Sequence, residues 1–293
     1  MEEAALERVA ERLKGHLVRS WPLEGGVSAR TTAVEVRLSE GRSCTFVVRE
    51  HSEHDRAANP RVAADEFRLL ELLEHEGIPV PTPRVLDESE EIPYIVIDYV
   101  ESDPRPPGAQ AALDLANALT SIHDVGPTAL DLRFLPDQEA RVTAYLARQR
   151  TSDEGEAAHF AVSRAWPLPE RNERVLLHGD FWPGNALWKD GRLVAVIDWE
   201  DAATGDPLAD VASCRLELLW AYGAETMTAF TEHYRRARPG VDFVDLPYWD
   251  LYADLRLAPQ IDRWGLDDAT TAVMRERHEA FLADALRQIV RTC

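Results

Sequence analysis

The stretch HGDFWPGN, residues 178–185, sets a carboxylate and a carboxamide five positions apart. Gly179, Pro183 and Gly184 keep it out of a helix. Apolar runs flank it on both sides, VLL before and ALW after, as strands would. It reads as a loop at a strand end, where site residues tend to be carried. Thirteen positions beyond Asn185 stands Asp198, near the end of ALWKDGRLVAVIDW. Asp190-Gly191 suits a two-residue hairpin turn. A hairpin folds its ends together, which predicts Asn185 beside Asp198. One amide oxygen and one carboxylate suit a hard cation such as Mg2+, which keeps waters and takes phosphate oxygens. Asp180 then stands as a base or an orienter for a hydroxyl nucleophile. A single Asp or Asn in a loop is usually a turn former; the convergence of three oxygen donors is what points to a site.

The elements that must position these residues follow from apolar spacing. Residues 2–19 carry Leu6, Val9, Leu13 and Leu17 at helical intervals and predict a helix. LEGGVSARTTAVEVRL reads as strand, flexible turn and strand, and CTFVVRE as a short buried strand. HSEHDRAANP reads as a polar loop. Residues 61–76 predict a helix that Gly77 ends. IPVPTPRVLD cannot be helical, and IPYIVIDYV is an apolar strand. ESDPRPPG, rich in proline and charge, is a candidate hinge. Beyond it, residues 109–123 and 137–150 predict helices, 174–178 a strand, and the chain from Pro207 onward is mostly helical. The expected division is therefore a small strand-rich lobe over 1–102 and a larger, mostly helical lobe over 103–293.

With 293 residues, 45% hydrophobic and 29% charged, the chain can build a sizeable core. No window is apolar enough for a membrane span. The acidic, amphipathic start lacks the basic and apolar regions of a secretory leader. Cys44, Cys214 and Cys293 have no paired spacing, which predicts a reducing cytoplasm. The net charge of −20 opposes nucleic acid and anionic membranes and would attract cations, amines included. An acidic surface also simply keeps a protein in solution.

H-x-D-x-x-x-x-N, a hairpin and then Asp is the order of the protein-kinase catalytic loop and metal-binding Asp. The form here, HGDFWPGN followed by IDWEDAATGDPLAD, resembles the aminoglycoside phosphotransferase and choline kinase family, which is similar in fold to protein kinases and acts on small molecules. The resemblance covers most of the chain. It implies an α+β, two-lobed protein-kinase-like fold, with a small antiparallel-sheet N-lobe carrying one key helix and a larger, mostly helical C-lobe. It implies that Arg49 is the strand cation that steadies the α/β phosphates and that Glu66 is its helical partner. Gly25, Gly26 and Ser28 stand where backbone amides would meet phosphate, although G-x-G-x-x-G is lacking and an ordinary hairpin turn fits nearly as well. The backbone of Asp98, Tyr99 and Val100 stands where a purine would be held. His123 matches a common histidine and is expected to be structural. Asp206 as N-cap, with Pro207 at N1, starts a helix. With Asp210 and His178, it is expected to support the loop around Asp180.

These assignments predict Mg-dependent transfer of the γ-phosphoryl group of ATP or GTP to a hydroxyl of a small molecule by a cytoplasmic monomer or homodimer, with no nucleic-acid or membrane partner. The acceptor is expected against the C-terminal helices. There Trp249 and Tyr252 could stack while Asp250 and Asp254, four apart on one helix face, attract a cationic aminoglycoside-like or amino-alcohol substrate. A solvated acidic face over an aromatic core explains the same residues. Two other readings stay open: a catalytically weak nucleotide-binding protein of kinase fold, and a metal-dependent hydrolase using His178 and Asp180 as ligands.

Overall fold

The computed structural model describes residues 3–23, 29–89, 92–126, 130–148 and 155–292. The chain divides into two compact units: Met1–Asp103 together with Val194–Glu200, and Pro104–Leu193 together with Asp201–Cys293. The short segment 194–200 thus groups with the first unit although it follows the loop 178–185 in sequence.

The first unit is built on a five-stranded antiparallel sheet. Its strands are β1 (Gly15–Pro22), β2 (Ala29–Leu38), β3 (Ser43–His51), β4 (Pro83–Asp87) and β5 (Tyr94–Asp98), in the order β1-β2-β3-β5-β4. Period-two alternation gives the sheet two different faces. Val34, Val36, Phe46, Val48 and Val96 form a core with Leu6, Val9 and Ala10 of helix α1 (Glu3–Arg12). Arg49 follows Val48 and so belongs to the opposite face. Helices α2 (Glu53–Ala58) and α3 (Val62–His75) lie between β3 and β4 in sequence.

Two expectations are corrected here. The first helix ends at Arg12, not near residue 19. Lys14 adopts φ 60°, and the chain leaves the helix to pair as β1. Leu13 and Leu17 kept the helical spacing because both pack against the core under α1, Leu17 from the strand. HSEHDRAANP is not all loop. Ser52 accepts from the Asp55 amide while Asp55 accepts from the Ser52 amide, and this capping box starts α2.

The second unit is mostly helical: α4 (Gly108–Asp124), α5 (Gln138–Arg148), α6 (Glu156–Ala165), α7 (Leu208–Tyr222), α8 (Ala224–Ala237), α9 (Leu246–Leu257) and α10 (Asp268–Thr292). Helix α7 is apolar nearly all round and is buried accordingly. Leu216, Leu219 and Trp220 pack on Met274 and Phe281 of α10, while Leu251 and Leu255 of α9 pack on Ala158 and Val162 of α6. Strands β6 (Val175–Leu177) and β9 (Ala203–Gly205) pair antiparallel and frame the loop at 178. The hairpin of β7 (Ala186–Lys189) and β8 (Arg192–Val196) turns at Asp190 and Gly191, with φ 49° and 72°, the two left-handed residues of a type I′ turn.

Candidate active site

In the first unit, Arg49 and Glu66 are both buried, 6% and 3% exposed. Arg49 Nε lies 3.5 Å from Glu66 Oε1, an ion pair without a hydrogen bond. The guanidinium also donates from Nη2 to Asp198 Oδ1 at 2.7 Å and to Glu200 Oε2 at 3.2 Å. Burial opposes charge on both partners. The surrounding carboxylates nonetheless raise the Arg49 pKa, and Arg49 with a hydrogen bond from His51 brings Glu66 down to about 2. Glu66 Oε2 lies 2.6 Å from His51 Nε2, and His51 is itself buried. Asp198 takes φ 72°, a conformation Asp tolerates better than most residues. Its segment is tied to this unit by the bond from Val196 N–H to Pro79 O at 2.7 Å.

Two members of this cluster escaped the sequence reading. Glu200 was visible as the last letter of IDWE. His51 offered a weaker signal: it is two residues from Arg49 on the same strand, hence on the same face.

In the second unit the loop after β6 is fastened by Asp210 of α7. Its carboxylate accepts the amides of His178 at 2.7 Å and Gly179 at 2.9 Å, and lies 3.2 Å from His123 Nε2. Burial disfavours the Asp210 charge, but these donors outweigh it and lower the pKa. An ionised Asp210 only accepts, so His123 Nε2 carries the proton and His123 Nδ1 accepts from Tyr234 O–H at 2.6 Å. Burial likewise lowers the His123 pKa, consistent with a neutral ring. Gly179 has φ 85°, and a Cβ there would stand 2.0 Å from Asp201 O. No side chain fits, so the loop can pass this close only as glycine.

Within the loop, Asp180 N–H donates to His178 Nδ1 at 3.3 Å. Asn185 closes the single 3-10 turn Pro183–Asn185 and donates from Nδ2 to Asp180 O at 2.9 Å and Asp180 Oδ2 at 3.0 Å. Its amide nitrogen is therefore spent on Asp180, and its Oδ1 is the atom that a cation would meet. Arg256 of α9 donates from both terminal nitrogens to Gly179 O at 3.3 Å.

The profile of the phosphotransferase enzyme family matches residues 21–247. The chain belongs to that family. It shares that family's protein-kinase-like α+β fold. Choline kinase LicA from Streptococcus pneumoniae superimposes with a TM-score of 0.65 at 20% identity, covering 96% of this chain and 99% of that one. The streptomycin–ATP–APH(2")-IIa ternary complex gives 0.58 at 18% identity, covering 87% and 89%. Acyl-CoA dehydrogenase family member 10 of Mus musculus is 28% identical over 221 residues, 68% of this chain and 20% of that protein. The chain spans from 20% to 32% of the length of the acyl-CoA dehydrogenase family members it matches.

Gly25, Gly26 and Ser28 lie outside the described residues. At the expected hinge, the Asp98 and Tyr99 amides already donate to Thr82 O and Thr45 O, and the Asp98 carboxylate is held by Arg84 at 2.7 and 2.5 Å. Purine recognition there would fall to the Val100 amide and the hinge carbonyls. Asp206 accepts the Leu208 amide at 2.8 Å and the Asn172 side chain at 3.2 Å; the helix begins at Leu208, one residue later than its capping pattern suggests.

The acidic acceptor wall needs correction. Asp250 is buried and gripped on both oxygens by Arg215, at 3.0 and 3.1 Å. Asp254 is buried with His278 Nδ1 2.6 Å away. Trp249 is buried edge-on between Trp166 and Tyr252. Helix α9 is buried on nearly every side, so the aromatic and acidic letters belong to packing rather than to a cationic pocket.

Proposed function

We propose that the chain transfers the γ-phosphoryl group of ATP to a hydroxyl of a small molecule. The observation that carries this is the pair of hydrogen bonds that Asn185 Nδ2 donates to Asp180. It aims the Asp180 carboxylate and leaves Asn185 Oδ1 as a hard oxygen donor, the division of labour a phosphoryl-transfer loop needs. The ATP bound in the APH(2")-IIa complex is the reason for naming that nucleotide. GTP in its place is the variant that a competition assay would separate.

Asn185 in the second unit and Asp198 in the first each have one oxygen outside the bonds to Asp180 and Arg49, and each is by itself a donor suited to a hard cation. Mg2+ held there would neutralise charge on the β and γ phosphates. Arg49, steadied by Glu66, meets the phosphates nearer the nucleoside. Asp180 receives the acceptor hydroxyl. Its oxygen bonds to the γ-phosphorus, the bond from that phosphorus to the bridging oxygen breaks to leave ADP, and the hydroxyl proton passes to the Asp180 carboxylate. The protein contributes position and charge more than covalent chemistry.

Replacing Asp180 by Ala tests the reading. ADP release stimulated by an acceptor should fall by about 100-fold or more while Mg–ATP binding stays within about two-fold. Near-normal turnover in that variant would remove Asp180 from its role. A catalytically weak nucleotide binder would instead bind Mg–ATP and give no acceptor-stimulated ADP release with any hydroxyl compound.

A further inference from the structure

The chain as a whole carries −20 charges, and its sequence suggests an acidic acceptor wall on α9. The carboxylates expected to make it so are spent, Asp250 on Arg215 and Asp254 on His278. Guanidinium groups gather there instead. Arg256 bonds to Gly179 O, one residue from Asp180, and the charges of Asp201, Asp180 and Asp210 act on its guanidinium. Arg141 of α5 bonds to Asp201 O at 2.6 Å and lies close enough to Arg256 for the two to repel. The Arg256 guanidinium carbon lies 6.0 Å from the Tyr252 ring centre, and the charges of both arginines act on Tyr252. Glu217 of α7 faces Asp180, Arg256 and Arg105; burial first, then the charge of Asp180, pushes it up to about 8. At neutral pH it therefore adds little negative charge.

Each guanidinium has five N–H donors. The bond to Asp201 O occupies one terminal nitrogen of Arg141, and the two to Gly179 O fix Arg256 without using all its protons. Asp201, Asp180 and Asp210 offset part of the Arg256 charge, and Asp201 part of that of Arg141; the N–H donors left over on the two guanidinium groups suit forked recognition of a further carboxylate or phosphate. We propose that the acceptor is an anionic alcohol, whose carboxylate or phosphate is held by Arg256 and Arg141 while its hydroxyl lies at Asp180. This rests on the phosphotransferase reading above and replaces the cationic acceptor suggested by letters of the sequence.

Matched compounds test it: gluconate, sorbitol 6-phosphate, neutral sorbitol and the amine glucamine, with glycerate, glycerol 3-phosphate, glycerol and 3-amino-1,2-propanediol as the shorter set. Two readouts run together on the full chain: acceptor-stimulated ADP release with Mg–ATP, and the shift in melting temperature that each compound causes. A carboxylate or phosphate member should exceed its amine counterpart by at least about ten-fold in kcat/KM, with the two anions separating the sources of charge. In Arg256→Gln, KM for that anion should rise about ten-fold and that for the neutral polyol by less than two-fold, with Arg256→Lys intermediate; Arg141→Gln provides the same comparison if Arg256→Gln does not fold. Turnover of amines in preference to anions, equal use of anion and neutral polyol, or no response to any anion in either readout would overturn the inference. Binding of anions without phosphoryl transfer would uphold the anion site and sink the phosphotransferase reading. Transfer to amines alone would do the reverse.

Discussion

Asn185 donates from one nitrogen to both the carbonyl and the carboxylate of Asp180, at 2.9 and 3.0 Å. Six residues, Asp180 to Asn185, are closed into a small ring by a side chain. Pro183 and Gly184 make the bend, and Asn185 locks it. The nitrogen is therefore spent on Asp180, and the oxygen is the atom left for the cation that the proposed reaction needs. Only Asn has both atoms at this reach.

That duality separates two substitutions. Asn185→Ala removes both functions and should lower kcat/KM by roughly 100-fold, the usual effect of losing a group that orients a site. Asn185→Asp keeps an oxygen for the cation but removes the donor and sets a second carboxylate against Asp180. It should therefore show a raised pH optimum as well as a loss of rate, since like charges raise each other's pKa. Full pH–rate profiles for both variants, measured over a Mg2+ titration, check this; identical profiles would mean that Asn185 acts through its nitrogen alone.

His51 should act through Glu66. Its Nε2 holds one carboxylate oxygen and leaves the other turned to Arg49. In His51→Ala, Glu66 stays buried with one partner fewer, at a cost of about 1–3 kcal/mol in stability. KM for ATP should rise by roughly ten-fold with kcat changed less. His51→Gln can still donate and should recover most of the KM. If Gln and Ala behave alike toward ATP, the histidine serves packing only.

Asp250 and Arg215 give a direct test between a packed core and an acceptor wall. Removing one member of a buried ion pair leaves the other without compensation and costs about 3–5 kcal/mol. Asp250→Ala should thus unfold at markedly lower denaturant while, under folding conditions, its acceptor KM stays near the parent value. A large KM change with unchanged stability would return Asp250 to the substrate site.

Much of the site was legible because loops announce themselves. HGDFWPGN sits between two apolar runs, and its Gly and Pro exclude helix, so Asp180, Asn185 and the hairpin after them could be placed before any coordinates. Family likeness then supplied Arg49 and Glu66, which sit together in the first unit. What escaped was set by burial. Asp250 and Asp254 look like a charged helical face in sequence, but their partners, Arg215 and His278, are 35 and 24 residues away and no local pattern links them. The first helix was overdrawn because a strand and a helix can feed the same core, and Leu17 does so from β1. His51 was passed over because it stood in a polar stretch, which hid its pairing with Glu66.

The pH dependence of stability should show two opposed contributions. Glu66 is ionised in the folded chain down to about 2, below its ordinary 4.5. A lowered carboxyl pKa means that the unfolded chain takes up the proton first, so this contribution is present above about 4.5 and is lost as the pH falls toward 2. Glu217 has the opposite sign. Burial, then Asp180, raises it from 4.5 to about 8, so the folded chain holds a proton that the unfolded chain has released. Its contribution is complete below about 4.5 and declines as the pH rises through 8. Glu217→Gln keeps the shape and removes the titration. The variant should gain stability over the parent from pH 6 to pH 9, with the difference in denaturation midpoint widening throughout, and match it near pH 4. Parallel curves for variant and parent over that range would show that Glu217 titrates as an ordinary surface carboxyl.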